Sequence, residues 1–431
     1  MRALALTLFV TLSLLAQQQS PPAAQTLSIN FTEALQRARQ YGGELQTANI
    51  AALLAREGRI QAKAALLPQT QQVDEFIYTE PNHTLSGVFV PNDGPHVYYV
   101  YAQAHEDLSF ARRAEYHRAQ AAEALAQAKA DLAARGLFAT LAQDYYGLAV
   151  AQRKLANARQ SLADARAFQD LTQKQEQGGE AAHADVVKAQ LQTQQRERDV
   201  ADAQLAIEKA RLTLAVLLFP DFQQNFNVVD DLEQAPELEP FVEIQRQAQA
   251  KSPELRIAQA TIRQEAADVS AARAGYLPAP FFDYYYGIQA NQLALYNREH
   301  DNNLGSVVDV GVNIPLWTWG AAQSKVRQAQ LREQQANLEL SLAQRQLLAN
   351  LNSYYAEAQL ARSQLDSLRS SLSLATESLR LTNLRYQAGE ATALEVVDAQ
   401  STLAAARNAL DDGLERYRIA VASLQTLTGN F

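Results

Sequence analysis

The chain contains no cysteine among its 431 residues. Disulfides, thiolate metal sites, cysteine nucleophiles and a lipidated N-terminal cysteine are therefore all excluded. Methionine occurs once, at Met1, so there is no soft-metal tract. The six histidines are scattered, and no phosphate-binding loop, nucleophile elbow or paired histidine at metal spacing accompanies them. That argues against an enzyme and leaves no cofactor to expect. Beyond residue 30 there is no run of 18 apolar residues, so any insertion into a bilayer must use strands. Glycine (17) and proline (13) are sparse against long Ala/Leu/Gln-rich stretches, which predicts extended helices. A formal charge of -9 argues against nucleic acid as a partner.

What is present begins with Arg2, an apolar run from Ala3 to Ala16 and a polar stretch, the layout of a secretory signal peptide over 1-24. The rest is a tandem duplication. The segment starting at Gly43 aligns with that starting at Pro253, Phe31 with Phe241, Pro68 with Pro278, Gly179-Glu180 with Gly389-Glu390, and Ala189-Gln190 with Ala399-Gln400, all at an offset of 210. Tyr145-Tyr146 aligns with Tyr354-Tyr355 at 209. The first repeat spans 25-218 and the second 241-431. An inter-repeat segment, 219-240, carries Pro220, Pro236 and Pro240 and reads as an equatorial belt or linker outside the packed helices.

Each repeat reads as a helix, two strands, a very long helix, a tight turn and a shorter helix. In the second repeat Leu347, Tyr354, Ala361, Leu368 and Ala375 recur every seven residues. Leu351, Ala358, Leu365, Leu372 and Leu379 follow four positions later, a sustained coiled-coil seam. The first repeat carries Leu141, Leu148, Leu155 and Leu162 with Ala151, Ala158 and Ala165. Long helices over about 111-175 and 320-385 would each be roughly 98 Å long at 1.5 Å per residue. The flanking helices, 31-67, 181-218, 241-277 and 391-428, would each be roughly 55 Å, so two placed end to end match one long helix.

The strands fall in hairpins at 71-108 and 281-316. In the second, Val308, Val310, Val312, Ile314 and Leu316 alternate with Asp309, Gly311 and Asn313, and Phe282, Tyr284, Tyr286 and Ile288 share one face. That is the apolar-out, polar-in pattern of a membrane barrel. In the first, Val100, Ala102 and Ala104 oppose Tyr101, Gln103 and His105, while Asp74 and Glu75 interrupt the preceding strand. Four strands cannot close a barrel in lipid, where open edges are not tolerated, so closure must be shared between chains; three chains supply twelve strands and leave a lumen. Tyr284 and Tyr286 are candidate membrane-interface aromatics. Trp317 and Trp319, at a strand end, either mark a membrane boundary or pack beneath the barrel. Gly178, Gly179 and Gly389 are expected to supply the left-handed backbone of the helical turns.

The stretch NLRYQAGEATALEVVDAQSTL, beginning at Asn383, joins Arg385, Tyr386, Gly389, Glu395 and Asp398 at the turn into the last helix. The other turn keeps Gly179 and Asp185 but lacks the Arg-Tyr pair and has Lys188 in place of the second acid. With the duplication and the hairpins, this resembles the TolC-like outer membrane factors across essentially the whole mature chain. The resemblance implies a mainly α fold with a small β part, in which a homotrimer forms a twelve-stranded barrel in the cell outer membrane and an α-helical barrel below it in the periplasm. It also implies a periplasmic adaptor (membrane fusion protein) and an inner membrane transporter as partners, in efflux or type I secretion. Glu395 and Asp398, with Asp185, would line a tip constriction as carboxylate rings, or else form an ordinary solvated helix surface. Arg385 would latch the tip by pairing with acids on a neighbouring helix. Gly178, Gly179, Tyr386 and Gly389 would face the adaptor. The competing reading is a periplasmic coiled-coil scaffold or adaptor without a pore.

Overall fold

The structure is a computed structural model that describes residues 27–78, 96–221, 224–234 and 236–429. The stretch 1-24 read as a signal peptide, and the apolar Val88, Phe89 and Val90 of the expected outer loop in the first hairpin, lie outside these described residues. The first repeat contains α1 (Phe31–Tyr41), α2 (Gly43–Ala64), β2 (Gln69–Tyr78), β3 (His96–Asp107), α3 (Phe110–Gln177) and α4 (His183–Leu218). The second contains α5 (Phe241–Lys251), α6 (Pro253–Ala274), β5 (Ala279–Ala290), β6 (Leu304–Asn313), α7 (Ala321–Gln387) and α8 (Ala393–Thr428). Short strands β1 (Leu27–Ile29) and β4 (Phe226–Val228) pair in parallel between them.

The helices form one layer. Toward the strands, α2 packs on α3, α3 on α6 and α6 on α7; toward the turns, α4 packs on α3, α3 on α8 and α8 on α7. Each long helix thus runs the full height, with short helices of half its length packed end to end along it, as the lengths predict. The heptad seam is the physical cause. Leu347, Leu351, Ala358, Ala361, Leu365, Ala375 and Leu379 of α7 are all buried. At Gly413 in α8 an added Cβ would sit 2.5 Å from the Leu368 side chain, so glycine allows the close approach.

Two expectations are corrected. The helices predicted as continuous over 31-67 and 241-277 are each broken, at Gly42 and at Ser252. Pro253 at the first position of α6, with the Ser252 side chain accepting from the Leu255 N–H at 3.3 Å, starts a new helix. At Gly42 a Cβ would lie 2.5 Å from the Ala38 carbonyl oxygen and 3.1 Å from a Leu137 methyl. The second correction is the 209-residue match of the tyrosines. Phe31 meets Tyr145 edge-on at 5.3 Å, and Phe241 meets Tyr355 edge-on at 5.2 Å. Tyr145 therefore corresponds to Tyr355, and the offset stays at 210 along the uninterrupted long helices.

Strands β2, β3, β5 and β6 form one antiparallel sheet in that order, so the two hairpins join through β3 and β5. Ala102 pairs with Tyr286, Ala104 with Tyr284, and Tyr284 with Val308. The register places Phe282, Tyr284, Tyr286, Val308, Val310 and Val312 on one face, all exposed. Among the described residues β2 and β6 are the unpaired edges.

Candidate pore-lining and tip sites

Both hairpin turns are built the same way. The Gly179 N–H donates to the Glu176 carbonyl (2.9 Å) and the Glu180 N–H to that of Gln175 (2.8 Å). At 210 residues further, the Gly389 N–H donates to Tyr386 (3.0 Å) and the Glu390 N–H to Arg385 (2.8 Å). These are Schellman closures, which place the following residue in the left-handed region: Gly179 has φ 78° and Gly389 φ 77°. Gly178 departs from expectation. Its φ is -77°, right-handed, and Ala388 occupies the equivalent place with φ -80°.

Glu395 and Thr392 form a capping box at the start of α8. The Glu395 N–H donates to the Thr392 hydroxyl at 3.3 Å, and the Thr392 N–H to the Glu395 carboxylate at 3.1 Å. Hydrogen bonds from the Thr392 backbone and hydroxyl, then the Arg385 charge, hold the Glu395 carboxyl below the usual range. Its contribution to stability is present above the unfolded-state value and disappears as pH falls through the lowered folded one. Arg385 reaches Glu395 at 3.4 Å and donates to the Glu390 carbonyl at 3.0 Å. Within the protomer its bonds thus close its own turn. Asp398 is exposed one helical turn on. On the first turn Asp185 is half-buried, 3.9 Å from Lys188, and α4 has no side-chain cap.

Tyr386 is buried rather than presented on the turn surface. Its ring packs on Phe168 at 5.1 Å, and its hydroxyl lies 3.4 Å from the Thr172 hydroxyl. With Ala189, Ala393 and Val396 these residues make a small core that fastens the two hairpins to each other near their ends. Phe168 and Thr172 were missed in the sequence, where only their spacing on a long helix could have marked them.

The sheet's second face is polar. Gln103 accepts from the Gln71 amide at 2.7 Å and donates to Asp283 at 3.0 Å, and His105 Nδ1 lies 2.8 Å from the same carboxylate. Asp309 is the register partner of Asp283. One face is therefore wet and hydrogen-bonded while the other shows valine, phenylalanine and tyrosine. Trp317 and Trp319 are 74% and 89% exposed and meet edge-on at 5.8 Å, so within the protomer neither packs beneath the sheet. Trp319 (φ 52°) and Gly320 (φ 81°) make the left-handed turn into α7.

Midway along the helices the inter-repeat segment is strapped inward by side chains whose role the sequence did not announce. The Tyr145 hydroxyl lies 3.1 Å from the Ile29 carbonyl and 2.9 Å from that of Val229, bracing the small parallel sheet. Tyr417 donates to the Pro236 carbonyl at 2.9 Å, and Arg418 bonds Asp231. Arg153 pairs with Asp230, Glu233 and the buried Asp411. Burial pushes the Asp411 carboxyl up, with Asn157 and Arg153 pulling the other way. Among the described residues no cluster suits a metal ion, and no helix is long and apolar enough to cross a membrane.

A family model described as "Outer membrane efflux protein" matches residues 244–430. Outer membrane efflux protein BepC of Brucella suis is 29% identical over 129 residues, 30% of this chain and 28% of that protein. Outer membrane protein TolC of Vibrio cholerae is 26% identical over 184 residues, 42% of each chain. The aligned stretches thus span less than half the length of these curated relatives. Among solved structures, the Campylobacter jejuni CmeC outer membrane channel superposes with a TM-score of 0.82 at 14% identity, covering 93% of this chain and 85% of that one. The Vibrio cholerae outer membrane protein VceC gives 0.80 at 18%, covering 93% and 96%. The fold is thus shared with outer membrane channels over nearly the whole chain, and the second repeat carries the sequence signature of the outer membrane efflux proteins.

Proposed function

We propose that three copies of this chain close into one channel of the outer membrane, which carries substrates outward from an inner membrane transporter and a periplasmic adaptor, in efflux or type I secretion. The observation that carries this reading is a layer unfinished at both edges. Among the described residues β2 and β6 have no partner strand on their outer sides. The outer helices likewise carry uncovered apolar side chains: Leu205 and Leu212 on α4, and Leu338 and Leu374 on α7. Four strands from each of three chains make a twelve-stranded barrel with room for a lumen. Its valine and tyrosine face meets lipid, and the Gln103–Asp283–His105 face lines the water-filled passage. A soluble scaffold would leave Val308, Val310 and Val312 in water, which disfavours the rival reading.

The helical end reaches into the periplasm and closes there. Glu395, Asp398 and Asp185 surround its narrow entrance and favour cations over anions. Arg385 keeps its own turn in shape, and the turns at Gly178, Gly179 and Gly389 receive the adaptor. Planar-bilayer recording of the purified chain tests this. Ion-conducting trimers are expected, with cation preference reduced in the Glu395→Ala, Asp398→Ala double variant. A monomeric protein that passes no current would overturn the reading.

A further inference from the structure

The duplication makes one side of α3 an inside view of a contact that α7 can make only with another molecule. On α3, Arg135 is 8% exposed although it is charged. Its Nη1 donates to the carbonyls of Thr426 (2.9 Å) and Leu427 (3.1 Å), and its Nη2 to that of Lys251 (2.5 Å). Those carbonyls end α8 and α5, where an α-helix has acceptors without internal partners and the negative end of its dipole. A planar guanidinium with five donors can serve two such ends at once. Arg135 thus ties the long helix of the first repeat to two short helices of the second.

The same residue type stands 210 positions on, at Arg345 of α7. It is exposed, and among the described residues it donates to the carbonyl of Ser341 in its own helix, at 3.4 Å. Its surroundings repeat the pattern. Ala121, Ala128 and Val150 of α3 are buried, whereas Leu331, Leu338 and Leu360, their counterparts on α7, are 56%, 73% and 48% exposed. The matching helix ends exist as well: α1 stops at Tyr41 and α4 at Leu218, each 210 before α5 and α8 stop. Ala422 is buried beside the contact in α8, but its counterpart Leu212 in α4 is 44% exposed. Because α4 and α7 lie at opposite edges of the layer, α7 of one copy cannot meet α4 of the same copy.

We propose that Arg345 is an inter-subunit clamp: it takes the C-terminal carbonyls of α4 (Val216 and Leu217) and of α1 (Tyr41) of the adjacent copy, as Arg135 takes their counterparts within the chain. The assignment rests on the closed trimer proposed above and names the contact that closes it. The chain's lack of cysteine permits a clean test. With Arg345→Cys and Val216→Cys in one full-length chain, a short bismaleimide linker is expected to give covalent dimers and trimers in detergent, and neither single variant is expected to do so. Arg345→Ala should speed dissociation of the trimer roughly tenfold, as befits loss of a charged multi-bond contact. Arg369→Ala, which removes an exposed arginine paired with Asp366 on its own helix, should not. An unmodified chain that is trimeric by native mass, yet gives no covalent ladder in the double variant or the same dissociation rate for Arg345→Ala and Arg369→Ala, would overturn the clamp alone. A monomeric unmodified chain would overturn the trimer, and the clamp with it.

Discussion

At the scale of single residues, the turns separate two kinds of glycine. Gly179 and Gly389 hold the left-handed backbone of a helix stop, whereas Gly178 has an ordinary helical conformation that alanine already adopts at Ala388. Gly179→Ala and Gly389→Ala should each destabilise by about 1 kcal/mol, the penalty for a Cβ in that region. Gly178→Ala should be neutral or slightly stabilising, since alanine restricts the unfolded chain more than glycine does. Chemical denaturation of the three variants, compared at equal slope, reads the difference. The sequence presents the three glycines alike; only the hydrogen bonds of Glu180 and Glu390 tell which position bends the chain.

At the scale of elements, the long helices and their seam were legible because period seven, sustained over many turns, has few other physical causes. The paired strands were legible for the same reason at period two. Three features were not. β1 and β4 have three residues each, too short to show any period, and are held by Tyr145 from a distant helix. The breaks at Gly42 and Ser252 interrupt helical patterns that otherwise run on, although Ser252-Pro253 carries a helix-start signature in plain view. Tyr386 sits in the stretch that carries the resemblance to the TolC-like proteins, which points it at a partner. Its burial follows from Phe168, 218 positions earlier in the chain, which no local pattern connects to it. Tyr386→Ala should therefore act as a core truncation, loosening the join between the hairpins by about 3 to 5 kcal/mol. Tyr386→Phe should be nearly neutral, because the hydroxyl contact is a long one at 3.4 Å. Hydrogen exchange in the final turns of α3 and α7 would register the alanine variant and spare the phenylalanine one.

At the scale of the whole molecule, the two faces of the sheet set where it can reside. Val310 is 70% exposed on the face opposite the Asp283 network, and water offers it nothing there. Val310→Arg should lower insertion into lipid, costing about 2 to 4 kcal/mol per copy if the site lies near the bilayer midplane. Asp309→Asn, on the other face of the same strand, should insert normally and change only ion preference. Flotation of reconstituted vesicles and conductance measured on the same preparations distinguish the two.

The unbroken run of α3 also makes the molecule a lever. It is gripped at its waist by Arg135, Tyr145 and Arg153, and free of breaks from the base of the sheet to the turn at Gly178. From Tyr145 to Gln177 the arm is roughly 48 Å at 1.5 Å per residue, so a tilt of about 5° about the grip swings the far end by roughly 4 Å. In the trimer proposed above, an entrance ringed by such arms would need no unfolding or sliding to widen; a few degrees of rocking at mid-height would be enough.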